Sequence, residues 1–137
     1  MSRLTVWAPR VLSLLRMVVA LLLIEHGTMK LFHFPIPQPG APNPLPTLLM
    51  VAAWLEIGGG MFVLLGLFTR PAAFVLSGEM AVAYFTVHFP HSPWPGVNQG
   101  GEAILFCWVF FYLVFAGGGA WSVDAAMAKK GSVATQR

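Results

Sequence analysis

Four glutamates and four histidines stand where an ordinary soluble domain would not concentrate them. Glu25, Glu56, Glu79 and Glu102 each fall inside one of four hydrophobic stretches, and the fifth acid, Asp124, lies just past the last. His26, His33, His88 and His91 fall at or near the ends of the same stretches. An ionisable group in a membrane segment is costly, usually faces the bundle interior, and is a functional-site hypothesis by default. Three chemistries suit the set. His26, His88, His91 and Glu102 offer the nitrogen and oxygen donors that zinc, copper or iron accept. The di-metal pattern of helix bundles needs Glu-x-x-His on two helices. Here the adjacent pair Glu25-His26 diverges by about 100° around a helix. In the second chemistry, Glu56, Glu102, His26, His88 and Lys30 supply proton-exchanging groups and donors to a quinone headgroup, in an apolar slot lined by Trp54, Phe85 and Phe106. In the third, the groups simply pair. Lys30 would meet Glu56 or Glu102, and His26 a carboxylate, each contact being worth about 0.6–2 kcal/mol within a bundle. One lysine and four histidines do not readily compensate four acids, so the whole set points beyond pairing.

The elements that must hold these groups follow from composition. The 137 residues are 57% hydrophobic and 9% charged, with mean hydropathy +0.72, far more apolar than a soluble domain. Stretches at about 11–31, 45–68, 71–89 and 101–121 each approach the roughly 20 helical residues that cross a bilayer. The predicted fold is all-α: a four-transmembrane-helix bundle, up-down-up-down, over residues 1–124, followed by a short, basic, mobile cytoplasmic tail at 125–137. Arg3 and Arg10 ahead of an apolar run resemble a secretory signal. Glu-His-Gly-Thr after Ile24 is not a small-x-small cleavage site, however, so the first span is expected to be retained.

Cation placement sets the orientation. Arg3, Arg10, Arg16, Arg70, Lys129, Lys130 and Arg137 fall on one side of such a bundle and Lys30 on the other, which puts both termini in the cytoplasm. Arg70 is expected to anchor at lipid headgroups. The net charge of +3 reflects this bias; no basic stripe alternates with aromatics, and no nucleic-acid partner is expected. Cys107 is alone, which excludes an intramolecular disulfide.

The threading gathers every histidine and at least three glutamates in the outer half. Glu56 lies about 13–16 Å below the outer end of its span at 1.5 Å per residue. Ala52, Glu56, Gly59, Gly60, Val63 and Gly66 share one stripe of span two, and Ala72, Leu76, Glu79 and Ala83 one stripe of span three. These small residues mark the faces where helices approach. His88, nine residues past Glu79, falls on the opposite side of a regular helix and shares a site with Glu79 only if the helix unwinds before Pro90.

The stretches RMVVALLLIEHGTMKLF, WLEIGGGMFVLLGLFTRPAA, MAVAYFTVHFP and NQGGEAILFCWVFFYLVFAGGGAWSVD together resemble the DoxX family of small four-helix membrane proteins over nearly the full chain. The family-like polar residues are His26, Lys30, Glu56, Arg70, His88, Glu102 and Asp124, with Glu25 and Glu79 outside the pattern. The resemblance implies a multi-pass protein of a bacterial or archaeal plasma (inner) membrane, with links to membrane redox complexes and oxidative-stress defence. The expected function is an accessory or electron-transferring subunit of a quinone-linked redox system, possessing partner membrane subunits and self-associating. The alternatives are a non-enzymatic scaffold for partner subunits and, behind it, a carrier of protons or a small solute.

Overall fold

The computed structural model describes residues 4–135, and they are helical without strands. Arg3 and Arg137, used above for orientation, lie outside the described residues. The elements are α1 (Ala8–Phe32), α2 (Thr47–Leu65), α3 (Thr69–Ala83) continuing into a π-helical turn (Tyr84–His88), the short α4 (Pro95–Asn98), α5 (Gly101–Ala116) and α6 (Val123–Thr135). Proline in the first turn starts α1, where its missing N–H costs nothing. Gly66, at φ 68°, stops α2 in a left-handed conformation that glycine adopts without strain.

Among the described residues, one helix, α2, is long and apolar enough by length and composition to cross a membrane, while α5 is apolar but has only 16 residues. Two expectations change. The last apolar helix ends at Ala116 rather than near 121, because Gly117 (φ 77°, ψ −164°) leaves helical geometry. Residues assigned to a mobile tail belong instead to α6, whose first turn contains Asp124.

The helices pack in pairs, α1 on α2 and α3 on α5, with α2 against α3 joining the pairs and α1 barely touching α5. The buried stripe of α2 is Ala53, Glu56, Gly60 and Val63, and that of α3 is Thr69, Ala73, Leu76, Ser77 and Met80. The expected stripes meet these at Glu56, Gly60 and Val63 on α2 and at Leu76 on α3, while Ala53 and Ala73 are buried deeper than the expected Ala52 and Ala72. Gly27 shows how close α1 and α2 come: a Cβ there would lie 2.6 Å from Ile57 Cγ1 and 2.8 Å from the Ala53 carbonyl oxygen. The core between the pairs is aliphatic and aromatic, centred on Leu23, Val63, Leu76, Phe110 and Leu113, each at most 1% exposed.

At the end where α1 begins, three side chains take up the helix termini. Arg16 is fully buried (0% exposed). Its Nε donates to the Gly118 carbonyl at 2.8 Å and its Nη2 to that of Trp121 at 2.7 Å. Its Nη1 donates to the carbonyls of Val63, at 2.5 Å, and Leu64. Both carbonyls belong to the last turn of α2, where intrahelical donors run out, and that of Val63 also takes the Gly66 N–H at 3.0 Å. Arg70 does the same for α5, donating through Nη1 to Val114 and Phe115, both at 2.7 Å. The headgroup anchor expected of Arg70 is thus a helix C-cap. Asp124 caps α3 from 55 residues away: its carboxylate accepts the N–H groups of Phe68 at 2.9 Å and Thr69 at 3.0 Å, and its own N–H donates to the Gly66 carbonyl at 2.9 Å.

Burial pushes the Asp124 carboxyl up, but the backbone N–H groups of Thr69 and Phe68, with the Arg16 guanidinium, hold it below its ordinary value. A carboxylate with a lowered folded-state pKa stabilises fully above the ordinary aspartate range and loses that effect as pH falls through the lowered value. Asp124→Asn is expected to lower stability by about 1 kcal/mol at neutral pH, as for a lost N-cap, and to flatten the acid limb of the melting-temperature profile of the detergent-solubilised protein. Arg16→Met leaves four carbonyls without their charged donor and is expected to cost at least about 3 kcal/mol. Arg16→Lys should recover only part of it, because an ammonium lacks the planar fork; chemical unfolding of the three proteins checks the order.

Candidate functional site

The opposite end holds the ionisable groups. Lys30, in the last turn of α1, reaches Glu56 on α2, with Nζ 2.5 Å from Oε1. Both side chains are shielded, at 11% and 2% exposed. Glu56 Oε2 has no hydrogen-bond partner. Glu79, one helix over on α3, has both carboxylate oxygens buried and unpartnered. A buried polar atom without a partner is rare in a native structure and calls for an explanation.

These groups share a cavity of about 430 Å³ between α2 and α3. Lys30, Glu56, Glu79 and His88 line it together with Gln38 of the connecting loop, and its walls include Leu48, Leu55, Val75 and Val82. Volume and lining match the usual small-molecule site, an apolar cleft with a few convergent polar groups. Burial explains why Glu56 is where it is. The α2 stripe Ala53–Glu56–Gly60–Val63 faces inward, and Lys30 is the cation that lies within reach.

The π turn explains His88. Phe89 N–H bonds to the Tyr84 carbonyl, a five-residue step of 2.9 Å, so the chain turns through a wider arc than an α-helix. That distortion before Pro90 is the condition set by the sequence for Glu79 and His88 to share a site, and both line the cavity. His88 Nδ1 lies 3.0 Å from the Asn98 carbonyl, which can only accept; Nδ1 therefore carries the hydrogen and Nε2 is the acceptor of the neutral ring. Tyr84 stacks on the His88 ring, with centroids 6.4 Å apart and planes at 24°. Asn98, 7% exposed, braces the segment by donating to Ser92 O at 2.7 Å and accepting from Gly100 N–H at 2.7 Å.

The remaining candidate residues divide. His26 Nε2 stands 3.5 Å from Glu102 Oε2 across the α1–α5 gap, with side chains 29% and 59% exposed. Its Nδ1 donates to the Leu22 carbonyl at 2.9 Å. Phe106, 6% exposed, meets His26 edge-on at 5.7 Å between centroids. Trp54 and Phe85, at 55% and 62% exposed, face outward and do not line the cavity. Glu25 is also on the outside. Among the described residues no three His, Cys, Asp or Glu side chains come together in a way that could hold a metal ion. His26, His88, His91 and Glu102 are accordingly not gathered: His26 faces Glu102, His88 turns to Asn98, and His91 is exposed.

Sequence reasoning missed Gln38, Tyr84 and Asn98. Gln38 is one of two amides, with Asn43, in a proline-rich loop, and nothing local marked Tyr84 as a stacking partner. Asn98 lies in a turn-forming Asn-Gln-Gly, which is the signal of a capping loop rather than of a site.

Fold and site define a helical protein with an apolar cavity closed at one end by an ion pair and free carboxylate oxygens. A family model described as DoxX matches residues 11–89, which include Lys30, Glu56, Glu79 and His88. An uncharacterized protein of Haemophilus influenzae is 42% identical over 134 residues, covering 95% of this chain and 100% of that one. No solved structure matches. The chain belongs to the DoxX family, which is membrane-associated.

Removing one partner of a shielded ion pair leaves the other charge uncompensated, whereas removing both does not. Lys30→Met is therefore expected to destabilise the protein by about 2–4 kcal/mol, and the double variant Lys30→Met/Glu56→Gln to recover at least half of that. A double-mutant cycle of unfolding free energies measures it; additive losses would show that the two groups do not act as a pair.

Proposed function

We propose that this DoxX protein is a four-span membrane subunit whose α2–α3 cavity binds a quinone headgroup within a quinone-linked redox system. The observation that carries the reading is the pairing of an apolar-walled cavity of about 430 Å³ with Glu79 and Glu56 oxygens that are buried and unpartnered. A headgroup with oxygens on both sides of a flat ring suits that arrangement, and the apolar walls suit its tail. Support for the threading comes from the cations: Arg10, Arg70, Lys129 and Lys130 belong to the Arg16 end, and Lys30 to the cavity end. That distribution supports a reading with the termini in the cytoplasm and the cavity open toward the outer face of a bacterial-type inner membrane. The outward aliphatic and aromatic side chains, Trp54, Phe74, Phe85 and Leu105 among them, then meet lipid or partner subunits.

The chain's own residues divide the work. Lys30 holds the Glu56 carboxylate by Oε1 and leaves Oε2 directed to the ligand. Glu79 gives or takes a proton at the headgroup, and His88 Nε2 accepts one while Asn98 O fixes the ring. His26 and Glu102 face each other across the α1–α5 gap, apart from the cavity lining, and take no direct part at the headgroup. A bound quinone supplies two-electron, two-proton redox chemistry, and a partner subunit supplies or accepts the electrons.

Extraction of the full chain in native lipid, followed by quinone analysis, tests the reading. Wild-type protein is expected to retain quinone, and Glu56→Gln and His88→Ala to lose most of it. Unchanged content in both variants would refute the site.

A further inference from the structure

The cavity between α2 and α3 has walls of two kinds. Its polar groups are shielded: the Lys30 and Glu56 side chains are 11% and 2% exposed, and the free oxygens of Glu56, Glu79 and Gln38 are buried. Its apolar residues Leu48, Val51 and Leu55 on α2, and Val75 and Val82 on α3, are instead 38–65% exposed. A side chain is cavity wall and outer surface at once only where the cavity breaks the surface, so these residues mark a mouth.

Spacing gives the mouth its shape. Leu48, Val51 and Leu55 recur at three and four residues, and Val75 and Val82 at seven, so each set is one stripe along its helix. The mouth is therefore a slot running between the two helices. Toward the Arg16 end it closes where α2 meets α3, since a Cβ on Gly59 would lie 2.9 Å from Leu76 Cδ2. At the other end, residues 38–42 of the connecting loop line the cavity, and the polar Gln38 and His88 stand there. The slot between these limits offers no free donor: Thr86, the one hydroxyl lining the cavity, donates to the Val82 carbonyl at 2.7 Å. A hydrated solute gains nothing at such a rim, because losing its water is not offset by new hydrogen bonds. A molecule already dissolved in lipid exchanges one hydrocarbon surrounding for another.

We propose that the cavity loads sideways from the outer leaflet: a tail-bearing ligand enters head first between α2 and α3 and leaves its tail in the slot. This rests on the quinone reading above and adds the route and the ligand class, a quinone dissolved in lipid rather than one delivered through water. Val51 and Val82 flank the path, while Lys30, Glu56, Glu79 and His88 receive the headgroup. The reaction that supplies the ligand releases it into the bilayer.

Exchange of a tritiated decyl-tailed benzoquinone on the full chain in lipid nanodiscs, chased with unlabelled excess, tests this. Val51→Trp/Val82→Trp narrows the slot and leaves the polar groups in place. It is expected to slow uptake and release alike by roughly tenfold, with Kd held within about twofold. Leu105→Trp, on the outward face of α5, is expected to change neither rate, and melting temperatures check that both variants fold. A benzoquinone sulfonate confined to water is expected not to displace the bound probe from the wild-type protein. Unchanged rates in the double variant, or displacement by the sulfonate, would overturn sideways loading while leaving a quinone site in place. A weakened Kd with an unchanged uptake rate would also overturn it, because the valines would then serve the bound state and not the path. Failure of the wild-type protein to hold the decyl probe would remove the quinone reading itself and this inference with it.

Discussion

A helix that ends inside a low-dielectric medium exposes up to four carbonyls and four N–H groups that no water can meet. The fold of this chain depends on how those groups are answered. Arg16 bridges the end of α2 to the turn after α5 through four carbonyls on two separate segments. Asp124 returns the favour from beyond that turn, capping α3, and Arg70 closes α5. One arginine therefore couples the register of α1 to two other parts of the chain.

The two ends divide polar duty in opposite ways. At the Arg16 end, polar side chains are spent on backbone: carbonyls take arginine hydrogens, and N–H groups take the Asp124 carboxylate. At the cavity end His88 and Asn98 also serve backbone groups, but carboxylate oxygens of Glu56 and Glu79 are left over. The first arrangement stabilises and specifies; the second stores unmet hydrogen-bonding capacity in an apolar enclosure, a usual setting for binding and proton exchange.

Much of this was legible in the sequence, and the failures have physical causes. Apolar runs of helical length marked every long helix, and the small residues around Glu56 marked an inward face. The pairing of Lys30 with Glu56 was one of two partners offered by charge and depth, and the structure selects it. The stripes were right at Glu56, Gly60, Val63 and Leu76, but adjacent alanines look alike in sequence, and Ala53 and Ala73 proved deeper than Ala52 and Ala72. Trp54 and Phe85 looked like cavity walls by height along the helix, but height says nothing about azimuth, and both point outward. Arg16 and Arg70 carry a cytoplasmic charge signature, yet their hydrogen bonds cross 102 and 44 positions, respectively, which local pattern cannot reveal. The π turn that brings His88 to Glu79 is likewise a tertiary compromise, although Pro90 marked where regular helix had to stop. Glu79, outside the family-like pattern, proved to be the acid with the most unmet capacity.

The central claim is that Lys30, Glu56, Glu79 and His88 surround the headgroup of a membrane quinone. Photolabelling with an azidoquinone in native membranes, followed by peptide mapping, addresses it directly. The account predicts labelling concentrated in residues 38–55 and 75–88 and suppressed by excess unlabelled quinone. Labels confined to outward side chains beyond those segments, such as Leu105, Trp108 and Phe115, and indifferent to competitor, would contradict it.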